Sequence, residues 1–241
     1  MRVKFFTTPP RPWPYLLVNA RCPDLRYLRH AEEVIIDSGV EMFRDPEVKD
    51  YPKGHLERLV SLYIKVVGSV GWGRALATAL DYPDDLSPGS LWADGRTNVE
   101  RTVESVVRCL ERYPWVDWLV PIQGRYRDPE SVLECIDLYR ERGVKLSRVG
   151  VANLGDDPST VRAVRLVRRE LPNAVIHVFD LSLPALRRVY PLIDSFDSMA
   201  WGRVFTRLAR SREELRQFFD AWLKKLERVA GRAESSKPLV I

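Results

Sequence analysis

The sequence predicts a compact (β/α)8 barrel. Short apolar segments alternate with amphipathic ones from residue 33 onward, which gives parallel strands in one sheet with helices outside. The amphipathic segments carry helix start and stop residues. The length, 241 residues, suits barrels of this type, which run from about 200 residues upward. A doubly wound open sheet is the runner-up. It is disfavoured because no Gly-x-Gly-x-x-Gly follows the first strand and no Walker-type loop occurs.

The candidate strands are Leu16–Asn19, Val34–Asp37, Arg74–Asp81, Trp118–Gln123, Arg148–Asn153, Ala174–Phe179 and Ser195–Ala200. Thr97 opens a helix with Glu100 three residues on, a capping box, and Val99, Val103, Val106, Val107 and Leu110 share one face. Asp128-Pro129 opens the next as N-cap and first helical residue, and Gly143 ends it. Asp157-Pro158 opens a third, with Val161, Val164 and Val167 inward. Ser211 and Glu214 cap the last, whose apolar face holds Leu215, Phe219, Trp222, Leu226 and Val229. Residues 1–231 read as one barrel domain and 232–241 as a loose tail.

Hydrophobic content of 45% argues against wholesale disorder. The net charge of +5 and pI near 9.2 lean weakly towards an acidic partner. No apolar run reaches the length of a membrane span, and Pro9 and Pro10 break the N-terminal segment too early for a signal peptide. A soluble cytoplasmic protein is therefore expected. Cys22, Cys109 and Cys135 form no Cys-x-x-Cys pair and lie apart from His30, His55 and His177, so no metal site is expected. Cys109 and Cys135 fall in helix patterns as small core residues.

In a parallel barrel the C-terminal strand ends share one mouth, where active sites form. Reading each strand to its end collects Asp37, Asp81, Gln123, Asn153, Asp180 and Asp197. For any one of them the plain reading, a helix cap, is the stronger. Two features stand out. Ile35-Ile36-Asp37-Ser38-Gly39 and Asp194-Ser195-Phe196-Asp197-Ser198 each place a carboxylate after an apolar strand, which is costly for stability and suited to chemistry. Gln123 closes the apolar run Trp118–Ile122 and precedes Gly124, so side chain and backbone can approach a ligand together.

These segments, in this order, resemble the tRNA-guanine transglycosylase superfamily, including its DNA-acting branch, the deoxypurine-in-DNA protein A group. The resemblance covers roughly residues 33 to 203. Asp37-Ser38-Gly39 is similar to the family's Asp-Ser-Gly-Gly motif, whose Asp is catalytic. Ala79-Leu80-Asp81, followed by Arg96 and Asn98-Val99-Glu100-Arg101, resembles the segment with the base-recognition Asp. Ile122-Gln123-Gly124 resembles the Val-Gln-Gly strand end, and Val149-Gly150-Val151-Ala152 the Gly-Leu-Ala strand that meets the base. His177-Val178-Phe179 with Pro184 is similar to a His-x-x-Gly…Pro segment. Ser195-Phe196-Asp197-Ser198 resembles the motif whose Asp is the nucleophile.

The resemblance implies base exchange at C1′ of a nucleotide, with no cofactor. Asp197 would be the nucleophile and Asp37 the acid/base, in the manner of a glycosidase carboxylate pair. Asp81, Gln123, Gly124 and Gly150 would meet the base. Guanine and a 7-deazaguanine would be the leaving and entering bases. Cations past the strand ends, Arg125, Arg127, Arg203, Arg207 and Arg210, are candidates for substrate phosphates. Trp72, Trp92 and Trp201 suit base stacking or packing. His177, a lone histidine, reads as packing near the mouth. Arg162, Arg165, Arg168 and Arg169 lie on one helix and read as a solvated face.

The family's tRNA enzymes carry a Cys-x-Cys-x-x-Cys…His zinc site after the nucleophile strand, and here no Cys follows Cys135. Asp180 stands where a Gly is usual, and the chain has no room for an appended RNA-binding domain. These departures favour DNA over tRNA. The same chemistry on tRNA, an inactive nucleic-acid-binding barrel and an unrelated metabolite enzyme are the alternatives. A homo-oligomer or an accessory protein is left open.

Overall fold

The structure, a computed structural model, describes residues 3–86, 95–198, 201–202 and 211–235. It holds eight parallel strands: β1 (Lys4–Phe6), β2 (Tyr15–Asn19), β3 (Glu33–Asp37), β4 (Ala75–Thr78), β5 (Trp118–Ile122), β6 (Arg148–Val151), β7 (Val175–Val178) and β8 (Ser195–Asp197). Their order is β1-β8-β7-β6-β5-β4-β3-β2. A parallel bridge from Thr7 to Leu16 joins the two ends, with Leu17 N donating to Thr7 O at 2.8 Å. The fold is a (β/α)8-type barrel, as the alternation predicts.

Among the described residues the helices with full bounds are α1 (His55–Val70), α2 (Asn98–Arg112), α3 (Ser131–Glu141), α4 (Asp157–Glu170), α5 (Leu183–Val189) and α6 (Arg212–Ser235). The Thr97–Glu100 capping box is present in both directions, and so is the Ser211–Glu214 pair. Two starts differ from expectation. Asp156, not Asp157, caps α4, because its carboxylate is the one that reaches Ser159 N. The Asp128 carboxylate is taken by Arg125, so α3 begins later, at Ser131. The last helix runs to Ser235, past the expected boundary at 232.

No helix follows β1, and only a short 3-10 turn at Leu28–His30 follows β2. The N-terminal segment and α6 cover that side instead. Trp13 donates its indole N–H to Phe5 O at 2.9 Å and meets buried Phe219 of α6 edge-on. Arg11 pairs with Asp220 of the same helix at 2.7 Å. Among the described residues no helix is long and apolar enough to cross a membrane.

Strand pleating sends alternate residues inward. Val34 and Ile36 pack outward under the helices, while Ile35 joins Phe6, Leu17 and Leu119 in a separate cluster inside the barrel. Towards the C-terminal ends of the strands the inward positions turn polar. Asp37, Thr78, Gln123, His177, Ser195 and Asp197 are polar side chains in a space that such barrels ordinarily fill with branched aliphatics. That inversion positions the site.

Candidate active site

All the residues collected from the strand ends, Asp37, Asp81, Gln123, Asn153, Asp180 and Asp197, line one cavity at the C-terminal mouth. Its volume is about 140 Å³, close to an engineered cavity that takes up one benzene ring, roughly 150 Å³. A small planar group fits inside, with the rest of a larger ligand outside.

Asp81 does not end its strand. β4 stops at Thr78, three residues earlier than expected for a ladder reaching Asp81, and the chain then turns the carboxylate into the cavity. There Oδ1 accepts from Ser38 Oγ at 2.8 Å and Oδ2 accepts from Gln123 Nε2 at 2.6 Å. Burial pushes Asp81 up to about 6, against the pull of these two hydrogen bonds. Gln123 Oε1 is buried and has no hydrogen-bond partner. An unpaired buried acceptor costs stability, and a donor on a bound ligand would satisfy it.

Asp37 accepts from Gly39 N at 2.8 Å. Gly39 sits at φ +90°, where a side chain is strained, and that turn returns the backbone amide to the carboxylate. Asp37 is held well above the ordinary carboxylate range by burial first, then by the charges of Glu41, Asp197 and Asp81. Asp85, another lining residue, is pushed up to about 6, chiefly by burial and then by Asp180.

Asp197 Oδ1 lies 3.1 Å from His177 Nε2 and accepts from Asp180 N at 3.2 Å. The other histidine nitrogen lies 3.0 Å from Ser195 Oγ. Burial raises Asp197, and the His177 hydrogen bond is the main opposing influence. Asp180 adopts φ +44°, a left-handed backbone that Asp tolerates and glycine takes freely.

Gly124 and Gly150, expected to meet the base, do not line the cavity. A Cβ on Gly150 would lie 2.4 Å from the Phe179 ring, and one on Gly124 would lie 2.9 Å from Ser131 Oγ. Both glycines make room for neighbouring side chains. Arg125 is paired with Asp128 at 3.1 Å and Glu134 at 2.5 Å, and Arg127 with Asp156 at 3.1 Å. Both sit past β5, outside the cavity lining. Arg203, Arg207, Arg210 and Trp92 lie outside the described residues.

Three features escape a reading of the sequence. His177 is 1% exposed and bridges Ser195 and Asp197. Its inward parity with Phe179 was the available signal. Ser38 locks Asp81. Tyr51, whose hydroxyl donates to Asp81 O at 2.9 Å, stacks on His55, whose Nε2 lies 2.7 Å from Ser38 O. Cys109 and Cys135 are buried core thiols, pushed up by burial to about 11 and about 12.

Fold and site together define an α/β barrel whose C-terminal mouth holds a carboxylate-rich cavity. No protein-family model matches the chain, and no curated protein matches it.

Proposed function

We propose that the protein is a nucleic-acid base transglycosylase that exchanges guanine for a 7-deazaguanine through a covalent Asp197–sugar intermediate, with DNA as the polymer. The observation that carries this reading is the convergence of Asp37, Asp81, Gln123 and Asp197 in one buried cavity. The left-handed Asp180, at a position where the resembled family has glycine, adds to it.

The step that breaks the glycosidic bond has oxocarbenium character. Asp197 attacks C1′ as the bond to the base breaks, forming an ester. The departing pair goes to guanine, which takes a proton from Asp37. The entering 7-deazaguanine gives its N9 proton to Asp37 and displaces Asp197, leaving Asp37 protonated and Asp197 a free carboxylate, as at the start. The roles need opposite protonation states. Burial, then the charges of Glu41, Asp197 and Asp81, push Asp37 towards its protonated form. Asp197 has donors to its anion in His177 and Asp180 N. Asp81 suits N1–H and the 2-amino group of guanine, and Gln123 Nε2 would turn from Asp81 to O6. A base without those groups leaves buried atoms unpaired, which is a strong basis for discrimination. The target nucleotide must leave its stack to enter.

Incubation with radiolabelled guanine and either duplex DNA or a tRNA tests the proposal. Incorporation into DNA, with a denaturant-resistant adduct lost in Asp197→Ala, is expected. No incorporation into either polymer and no adduct refutes the chemistry, whereas incorporation into tRNA alone refutes the choice of polymer.

A further inference from the structure

We infer that the groove between α4 and α5 is a track for the phosphodiester backbone of the nucleic-acid substrate, an inference that rests on the function proposed above. The mouth itself is a poor place for a polyanion. Among the described residues, Glu41, Asp81, Asp85, Asp180 and Asp197 line it and Arg44 is the one cation. Arg125 and Arg127, next along the rim, are already paired with carboxylates.

The α4–α5 flank gathers four arginines, Arg162, Arg165, Arg169 and Arg188, in one groove. The arginines of α4 do not form one solvated face, as the sequence suggests, but divide into two sets. Arg168 is structural: it donates to Leu192 O and Ala174 O at 2.8 Å each and pairs with Asp194 at 3.0 Å. Arg162, Arg165 and Arg169 instead line a groove of about 460 Å³ with Arg188 of α5, and no carboxylate lines it. Arg162 and Arg169 pair with Glu130 and Glu170. Among the described residues, neither Arg165 nor Arg188 has a charged partner. Spaced at i, i+3 and i+7, the α4 cations span roughly 10 Å of helix, the length of about three phosphates at 3.4 Å per strand. Val161 and Leu166 floor the groove and give it shape.

One end of the groove, at Pro158 in the first turn of α4, lies towards the mouth. α4 follows β6 and α5 follows β7, so both helices start at the rim, where Ser182 Oγ donates to Asp157 at 2.7 Å. A strand with one nucleotide flipped into the cavity can leave down this flank.

The test is binding of the full chain to a fluorescent duplex DNA, titrated between about 50 and 200 mM salt. The double variant Arg165→Gln/Arg188→Gln should bind on the order of tenfold more weakly at low salt, with a salt slope shallower by about 2. Arg165→Lys/Arg188→Lys should keep the slope, because it keeps the charge. Uptake of free guanine, followed by calorimetry, should be the same in all three proteins. An unchanged slope in the Gln variant, or no binding of DNA by the unaltered chain, overturns the inference. A loss seen with tRNA and not with DNA overturns the choice of polymer. If the Gln variant loses DNA affinity while the unaltered chain exchanges no base, the groove stands and the proposed chemistry falls.

Discussion

His177 and Asp197 meet inside the barrel, Nε2 to Oδ1 at 3.1 Å, with the histidine 1% and the aspartate 6% exposed. The contact follows from register. His177 pairs with Ser195 across β7 and β8, so Asp197, two residues on, points inward one layer above. The ring is clamped edge-on by Phe6 and Phe179. With Ser195 Oγ–H donating to Nδ1, the ring donates Nε2–H to the carboxylate. His177 is thereby a positioning residue that favours the charged form of the proposed nucleophile.

Removing that donor should move a pH profile. In His177→Leu the desolvation that raises Asp197 loses its main counterweight, so the carboxylate holds its proton to higher pH. The acid limb of kcat/KM for base exchange should shift upward, and His177→Gln, which keeps a donor, should move it back. A limb that stays in place in His177→Leu means that Asp197 is not the group it reports.

Asp81 makes stability depend on pH with a definite sign. Its pKa is about 6 folded and 3.8 unperturbed. Between those values the folded state binds more protons than the unfolded state, so this contribution to stability is full below about pH 4 and is lost as pH rises through about 6. Asp81→Asn removes the ionisation. It can keep both contacts, since Ser38 still donates and a turned Gln123 amide accepts. The variant should be more stable than the parent at pH 7.5 by roughly 2–3 kcal/mol. The gap should close near pH 4. Thermal melts at both pH values check this, and a variant that is less stable at pH 7.5 refutes it.

How much of this was legible in the sequence depended on the kind of signal each element gives. Capped helices were readable: Thr97–Glu100 and Ser211–Glu214 stand where their hydroxyls and carboxylates require. α1 was not named although Leu56, Leu59, Val60, Tyr63 and Val67 recur at helical spacing, because it opens at Gly54 with no side-chain cap. β1 was missed because three residues show no periodicity. At the site, strand ends predicted which carboxylates reach the mouth, since that follows from topology alone. The partners that fix them did not show. Ser38 meeting Asp81 depends on the turn the chain takes after β4, and His177 meeting Asp197 on the register of β7 with β8, and nothing in a lone serine or histidine states either.

Gly150 leaves room for the ring of Phe179, which lines the cavity. A Cβ there would lie 2.4 Å from the ring, and the ring in turn packs on His177 at a centroid distance of 5.0 Å. Gly150→Ala should therefore destabilise the fold by about 1–3 kcal/mol through overpacking and disturb the His177–Asp197 pair. Gly150→Ala/Phe179→Leu should recover most of the loss in urea melts. If the double variant is no more stable than the single one, the clash is not the cause.

Gln123 couples base recognition to the charge on Asp81. Gln123→Leu removes the Nε2–H that Asp81 Oδ2 accepts at 2.6 Å and also deletes the unpartnered Oε1. Two opposite effects follow. Folding is relieved of a buried unpaired acceptor, while the carboxylate, left with Ser38 as its side-chain donor, rises above about 6. For guanine both changes are unfavourable: the donor to O6 is gone, and Asp81 is less ionised when N1–H arrives. Guanine affinity should fall by about 0.5–1.5 kcal/mol for the neutral hydrogen bond to O6 alone. The loss should be larger at pH 6 than at pH 8, where a larger share of Asp81 is ionised in both proteins. Calorimetric titration with free guanine at the two pH values measures it. Equal affinity in variant and parent at both would remove Gln123 from the base site.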